Sequence, residues 1–347
     1  MRISRLSKVW LGAALGIDPD RLTGLTSTPV GAGQMADTYR IEYSVDGEVR
    51  PSLVLKLTPD NDRSVAIGQS EKNYQREVGF YRVFADRLGV RTPRCLHAEV
   101  DGDGIEFALL LEDLSPCRPG DQLAGCSLEE AEMVVRELAK LHGPMWGDPL
   151  LESYEWLPGP RVLTPELNAV RPAAFDTFCE RFDGLIEAEI LEVGRKLFSS
   201  GRFFDVQHEC VGTIQHGDFR PDNLIFEVAG GKEAVAVVDW QTVQRGPGAL
   251  DLAFFLGAAL APEDRRASEK SLIEIYHQDL LSYGVPDYSL DDCRRDYATF
   301  ALYQYVVGVG AALTVKQTDR GDRLFVSMVR RAGQHALDLD SIGHLSA

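Results

Sequence analysis

Several features that would narrow the structural class at once are missing from this chain. Its six cysteines (Cys95, Cys117, Cys126, Cys179, Cys210 and Cys293) contain no C-x-x-C pair, and the gaps between them are wide and irregular. That spacing excludes a zinc ribbon or a disulfide framework and sets a reducing compartment, the cytoplasm, as the expectation. Internal repeats and low-complexity tracts are absent, and so are the signatures of collagen and coiled coil. Basic residues are scarce: Lys and Arg number 36 against 53 Asp and Glu, for a net charge of −17. Binding to nucleic acid or an anionic membrane needs clustered cations, so neither is expected as a partner. Met1 to Gly16 is amphipathic and lacks the continuous apolar core of a signal peptide. The longest uncharged run, 19 residues from Tyr297 to Val315, is interrupted by Gln304, Gly308, Gly310 and three tyrosines. It reads as a buried helix and not as a membrane span.

What is present is an ordinary globular composition, 44% hydrophobic and 26% charged over 347 residues, enough for one large domain or two modest ones. The first third reads as strands with one helix. From Ala36 to Asp46, Tyr39, Ile41, Tyr43 and Val45 alternate with polar residues, which predicts a strand with one buried face. Asp46-Gly47 is a turn signal, and Pro51 to Leu57 completes a hairpin. Helical spacing runs from Gln69 to Leu88, followed by a second hairpin over Cys95 to Leu111. Ser115 to Gly125 is rich in Pro and Gly and reads as a linker. Ser127 with Glu130 forms a capping box that opens a helix to about His142. The segment 147–172 is Pro-rich and reads as irregular. Helices are predicted from Phe175 to Phe198 and from Ala267 onward, with a β-rich island, Gly212 to Asp251, between them. The expected architecture is α+β, a small β-rich N-lobe over 1–114 and a larger, mainly helical C-lobe over 115–347.

The island carries the chemistry. In His216-Gly-Asp218-Phe-Arg-Pro-Asp-Asn223, a carboxylate and an amide stand five residues apart. A loop of this form can aim Asp218 at a substrate hydroxyl while Asn223 reaches a metal. Two apolar strands flank Gly230-Gly231; if the turn centres on Gly231, Asn223 falls opposite Asp239. Oxygen ligands in that arrangement suit Mg²⁺, which takes few protein ligands and keeps phosphate and water. Upstream, Gly31-Ala-Gly33-Gln34-Met-Ala36 opens the alternating strand. In a dinucleotide-binding unit such glycines open a helix, so a phosphate loop between two strands is the better reading. Lys56 lies within an apolar strand, where a charge needs a partner; Glu77 on the following helix is the first choice and Glu71 the second. A Walker A sequence is lacking.

Together these motifs resemble the aminoglycoside phosphotransferase and choline kinase superfamily. The strings HGDFRPDNLIF and VVDWQTVQRGPGALDLAFFL are most similar to its ecdysteroid-kinase-like branch. The resemblance spans roughly Val30 to Leu256. It implies a protein-kinase-like two-lobed fold with ATP in the cleft, and Asp218 as catalytic base. It implies Asn223 and Asp239 as Mg²⁺ ligands, and Gly31, Gly33, Gln34, Lys56 and Glu77 around the nucleotide. Leu111-Glu112-Asp113-Leu114 would be the hinge, with Glu112 and Leu114 meeting adenine through their backbone. Asp251 and His216 would brace the catalytic loop. Trp240-Gln241 departs from the D-F-G of protein kinases but fits this branch.

Asp251 follows Asp239 by only 12 residues and no A-P-E follows, which leaves little room for a peptide platform. The expected reaction is therefore transfer of the γ-phosphate of ATP to a hydroxyl of a small organic acceptor. The alternatives are a nucleotide-binding pseudokinase acting through a partner and, on the glycine motif alone, a dinucleotide-dependent oxidoreductase. The acceptor and the oligomeric state are not legible.

Overall fold

The computed structural model describes residues 1–31, 35–285, 287–315 and 317–346. The chain divides into two compact units, Met1–Arg118 with Ile225–Val243, and Pro119–Leu224 with Gln244–Ala347. The first is not a single N-terminal stretch: the segment carrying Asp239 packs with it.

The first unit is built on alternation. Strands β1 (Leu22–Pro29), β2 (Asp37–Val45), β3 (Glu48–Val49), β4 (Leu53–Leu57), β5 (Cys95–Val100) and β6 (Phe107–Glu112) form one antiparallel sheet in the order β1-β2-β4-β6-β5, with β3 paired to β2. Asp46 and Gly47 both take positive φ at the β2–β3 turn, which an Asp-Gly pair adopts at low cost. One face buries Ile41, Tyr43, Val45, Leu53, Leu55, Leu57, Ala108 and Leu110 under Leu11 of the Lys8–Leu15 helix. Because strand side chains alternate, Lys56, between Leu55 and Leu57, faces the other side. That side meets the Asn73–Val83 helix, where Tyr74 stacks on Phe107 with ring centroids 4.4 Å apart. The expected single helix over 69–88 is broken. Asp62–Ser70 is capped by Asn61, and Lys72 adopts a left-handed conformation before the second helix begins.

The Leu224–Glu227 and Glu233–Val237 strands form the expected hairpin. Val228 bridges Glu233, which centres the turn between Gly230 and Gly231 and not on Gly231. Ala229 and Gly230 both turn left-handed, so the connection has one residue fewer than a Gly231-centred turn requires. The expected register, with Asn223 opposite Asp239, is therefore shifted by one position.

The second unit is mainly helical. Its Ala249–Ala259 helix is buried along its whole length, as an all-apolar helix must be, and Asp251 is its one charge. Around it lie Leu128–His142, Pro262–Ser282, Leu290–Phe300, Tyr303–Thr314 and Asp319–Asp338. The uncharged run Tyr297–Val315 is two helices parted at Ala301–Leu302. With no polar face, the pattern could not show the break between the two helices. The segment read as irregular also contains a helix, Pro165–Arg181. Thr164 caps it and Pro165 starts it, a beginning strong enough to carry Pro172 inside. Among the described residues no helix is long and apolar enough to cross a membrane.

Ser127 accepts the Glu130 N–H at 3.1 Å and Glu130 accepts the Ser127 N–H at 2.8 Å, the capping box read from the sequence. Ser127→Ala is expected to cost about 1 kcal/mol of stability, read as a lower urea midpoint with an unchanged slope.

Candidate active site

In the first unit, three residues far apart in the chain meet at one ammonium. Lys56 Nζ lies 2.8 and 2.7 Å from the two oxygens of Glu77 and 2.6 Å from Asp239 Oδ1. Glu77 is fully buried on the Asn73–Val83 helix and Lys56 is 13% exposed. Burial alone would lower the Lys56 pKa; Asp239 and Glu77 together outweigh it and hold it above its ordinary value. The ammonium therefore stays charged through neutral pH. Glu71, the second-choice partner, is an exposed residue at the end of the preceding helix.

Asp239 has φ 67° and ψ 63°, a left-handed conformation that aspartate enters more readily than most residues with a Cβ. The segment after it is over-determined. Trp240 stacks on Phe80 with centroids 3.7 Å apart, and its indole N–H donates to Thr92 Oγ1 at 3.1 Å. Arg76, buried one residue before Glu77, donates from Nε to the Val243 carbonyl at 2.7 Å and from Nη2 to the Thr242 carbonyl. One helix thus grips both the lysine and the loop that presents Asp239. Trp240, noted in the sequence only as a departure from D-F-G, supplies the aromatic anchor.

The other nucleotide candidates of this unit are spread along the sheet. Gly31, with φ 75°, follows β1, which pairs with β2, so the glycine segment joins two antiparallel strands. Gly33 and Gln34 lie outside the described residues. Glu112 ends β6 with its carboxylate 3.0 and 3.1 Å from Arg91 and accepting the Arg94 N–H at 3.0 Å. Burial would raise its pKa, but these donors hold it below the usual value. Leu114 is buried, and its carbonyl accepts the Ala229 N–H at 3.0 Å. Between them, Asp113 takes Arg40 at 2.7 Å and Ser52 at 2.7 Å. The side chains of this segment are committed to the protein, so any contact to a base falls to its backbone.

In the second unit, the loop His216–Asn223 is held from below by Asp251. Its carboxylate accepts the His216 N–H at 2.6 Å and the Gly217 N–H at 3.0 Å, fully buried. His142 Nε2 lies 3.4 Å from the same carboxylate, and its Nδ1 meets the Tyr276 hydroxyl at 2.8 Å. The Tyr303 hydroxyl donates to the Gly217 carbonyl at 2.8 Å. His216 is buried, with its Nδ1 3.3 Å from the Asp218 N–H and its ring edge-on to Phe219. Asn223 donates from Nδ2 to the Asp218 carbonyl at 2.8 Å and to Asp218 Oδ2 at 2.9 Å. An amide nitrogen facing a carboxylate fixes the flip, so the amide oxygen is the group left for a cation. Asp218 also takes Arg220 Nε at 3.0 and 3.1 Å. His142, Tyr303 and Arg220 had no assigned role. His142 and Tyr303 lie too far along the chain to be linked to the loop by spacing. Arg220, between Asp218 and Asp222, is the one the charge pattern could have revealed.

The donor set fits Mg²⁺ in kind. Asp239 and Asn223 each present a hard oxygen from a locally fixed side chain. Among the described residues no three His, Cys, Asp or Glu side chains gather to hold a metal by themselves.

Lys56→Met should destabilise the protein by about 3–5 kcal/mol, because it leaves the Glu77 charge buried without a partner. Lys56→Met/Glu77→Leu is expected to recover most of that loss in urea denaturation; a double variant as unstable as the sum of its parts would contradict the pairing.

Comparison with known proteins bears on the family and the fold. No curated protein matches the sequence. The profile of the phosphotransferase enzyme family matches residues 26–288. Solved structures of similar fold include a choline kinase from Cryptosporidium parvum Iowa II (TM-score 0.58, 10% identity, covering 97% of each chain). A candidate aminoglycoside phosphotransferase from Ralstonia eutropha JMP134 superposes with TM-score 0.56 at 17% identity, over 95% of this chain and 97% of that one. The GDP complex of wild-type aminoglycoside 2'-phosphotransferase-IIIa gives 0.51 at 13%, over 88% and 92%. At these identities the structures establish the fold, which is protein-kinase-like with a β-sheet lobe and a helical lobe. The family match covers three quarters of the sequence, and the chain belongs to the phosphotransferase enzyme family.

Proposed function

We propose that this phosphotransferase moves the γ-phosphate of ATP to a hydroxyl of a small organic molecule, with Asp218 as the base. The observation that carries the proposal is the meeting of Lys56, Glu77 and Asp239 at one ammonium, from positions 56, 77 and 239 of the chain. A buried lysine shared by two acids, one of them on a left-handed residue, is an arrangement that concentrates at functional sites.

In this reading Lys56, oriented by Glu77, places its charge on the nucleotide phosphates. Asp239 and the Asn223 amide oxygen would hold Mg²⁺, which neutralises charge on the phosphates when bound. The acceptor hydroxyl gives its proton to Asp218; its oxygen bonds to the γ-phosphorus as the bond to the β–γ bridging oxygen breaks, and ADP leaves. Positioning and charge do most of this work, since phosphoryl transfer asks little covalent chemistry of the protein. The acceptor is proposed to be small because Asp251 follows Asp239 by only 12 residues. The similar structures with a bound guanine nucleotide make GTP the donor to compare with ATP.

A panel of amino alcohols, hydroxylated metabolites and aminoglycosides, offered with ATP or GTP and Mg²⁺, should yield acceptor-dependent release of the nucleoside diphosphate. Asp218→Asn should lower that turnover by about 10²–10⁴-fold while retaining nucleotide binding. Equal turnover in the two proteins would remove Asp218 from the mechanism.

A further inference from the structure

The carboxylate of an aspartate turns freely about its last bond, which has no sharp rotamer. A base that must meet one hydroxyl in line with a phosphate therefore needs its plane fixed by something else. Around Asp218 two side chains do this. Asn223 Nδ2 takes Oδ2 at 2.9 Å, and Arg220 Nε reaches Oδ1 and Oδ2 at 3.0 and 3.1 Å. Among the described residues Oδ1 is engaged by Arg220 alone, which leaves it able to accept a hydroxyl proton.

Arg220 is itself fixed at its far end. Nη1 donates to Gln122 Oε1 at 3.0 Å and to Asp222 Oδ2 at 2.6 Å. The Gln122 main-chain N–H closes the ring on Asp222 Oδ1 at 2.8 Å. Gln122 is 2% exposed although it sits in the Pro- and Gly-rich linker. One guanidinium is thus held by three side chains, with its fork spread between the base and the linker. Neutralising two neighbouring acids would need only a point charge; a fork anchored at both ends sets an orientation.

We infer that Arg220, locked by Gln122 and Asp222, is a positioning residue that fixes the plane of the Asp218 carboxylate for phosphoryl transfer. The inference rests on the reading of Asp218 as base. Arg220 acts through that carboxylate, so its effect must vanish when the carboxylate is gone.

The test is a double-mutant cycle on Mg²⁺-dependent turnover of ATP to ADP, with water as the acceptor. Arg220→Met is expected to lower kcat by about 10- to 100-fold with little change in KM for ATP. Arg220→Lys, which keeps the charge and loses the fork, should recover only part of that loss. In the Asp218→Asn background, Arg220→Met should change kcat by less than about twofold. Gln122→Leu, which leaves Arg220 in place but frees its far end, should give a smaller kcat loss that likewise disappears in Asp218→Asn; it serves if Arg220→Met fails to fold. Full activity of Arg220→Lys, losses that multiply with Asp218→Asn, or a loss confined to KM would each overturn the inference. Full turnover of Asp218→Asn itself would show instead that the base has been misassigned.

Discussion

One ammonium group holds the first unit's chemistry in place. Lys56 rises from an apolar strand onto the sheet face that meets the Asn73–Val83 helix, and both carboxylates within its reach need it. Glu77 is buried and cannot remain charged without a counterion. Asp239 sits on a left-handed residue and would relax if nothing held it. The same helix that carries Glu77 also carries Arg76 and Phe80, which grip the residues after Asp239. The position of that helix and the direction of the Asp239 carboxylate are therefore a single variable. A displaced helix would break the lysine pair and release the aspartate together.

The second unit solves a comparable problem with backbone in place of charge. A fully buried apolar helix carries a single acid, Asp251, and that acid is spent on two main-chain N–H groups of the His216–Asn223 loop. Each of those donors would otherwise be buried and unsatisfied, at about 1–3 kcal/mol apiece. Tyr303 fixes the neighbouring Gly217 carbonyl from another helix. The loop that presents Asp218 and Asn223 is thus positioned by the unit's core, which is why residues of no reactivity matter to the site.

Local chemistry was the legible part of this chain. The alternation of β2, the Asp46-Gly47 turn and the Ser127–Glu130 box are each dictated by neighbours in sequence, and each forms where the residues indicate. Lys56 with Glu77 was legible because a charge inside an apolar strand demands a partner. Less legible was whatever depends on direction. The uncharged run from Tyr297 hid a break between two helices, and the hairpin's left-handed residues moved its centre by half a residue. Contacts made by side chains far apart in sequence were invisible, as with His142 on Asp251, Arg76 on the Val243 carbonyl and Gln122 on Arg220. Nothing in the composition of the linker, where most residues serve to turn the chain, marked Gln122 as buried.

The most direct test of the account is calorimetric titration of ATP into the intact protein, with Mg²⁺ and without it. If Asp239 and Asn223 are the cation's protein ligands, Mg²⁺ tightens ATP binding in the wild type, and either Asp239→Asn or Asn223→Ala removes most of that tightening while the metal-free affinity changes little. A Mg²⁺ effect of the same size in all three proteins would contradict the assignment and, with it, the mechanism.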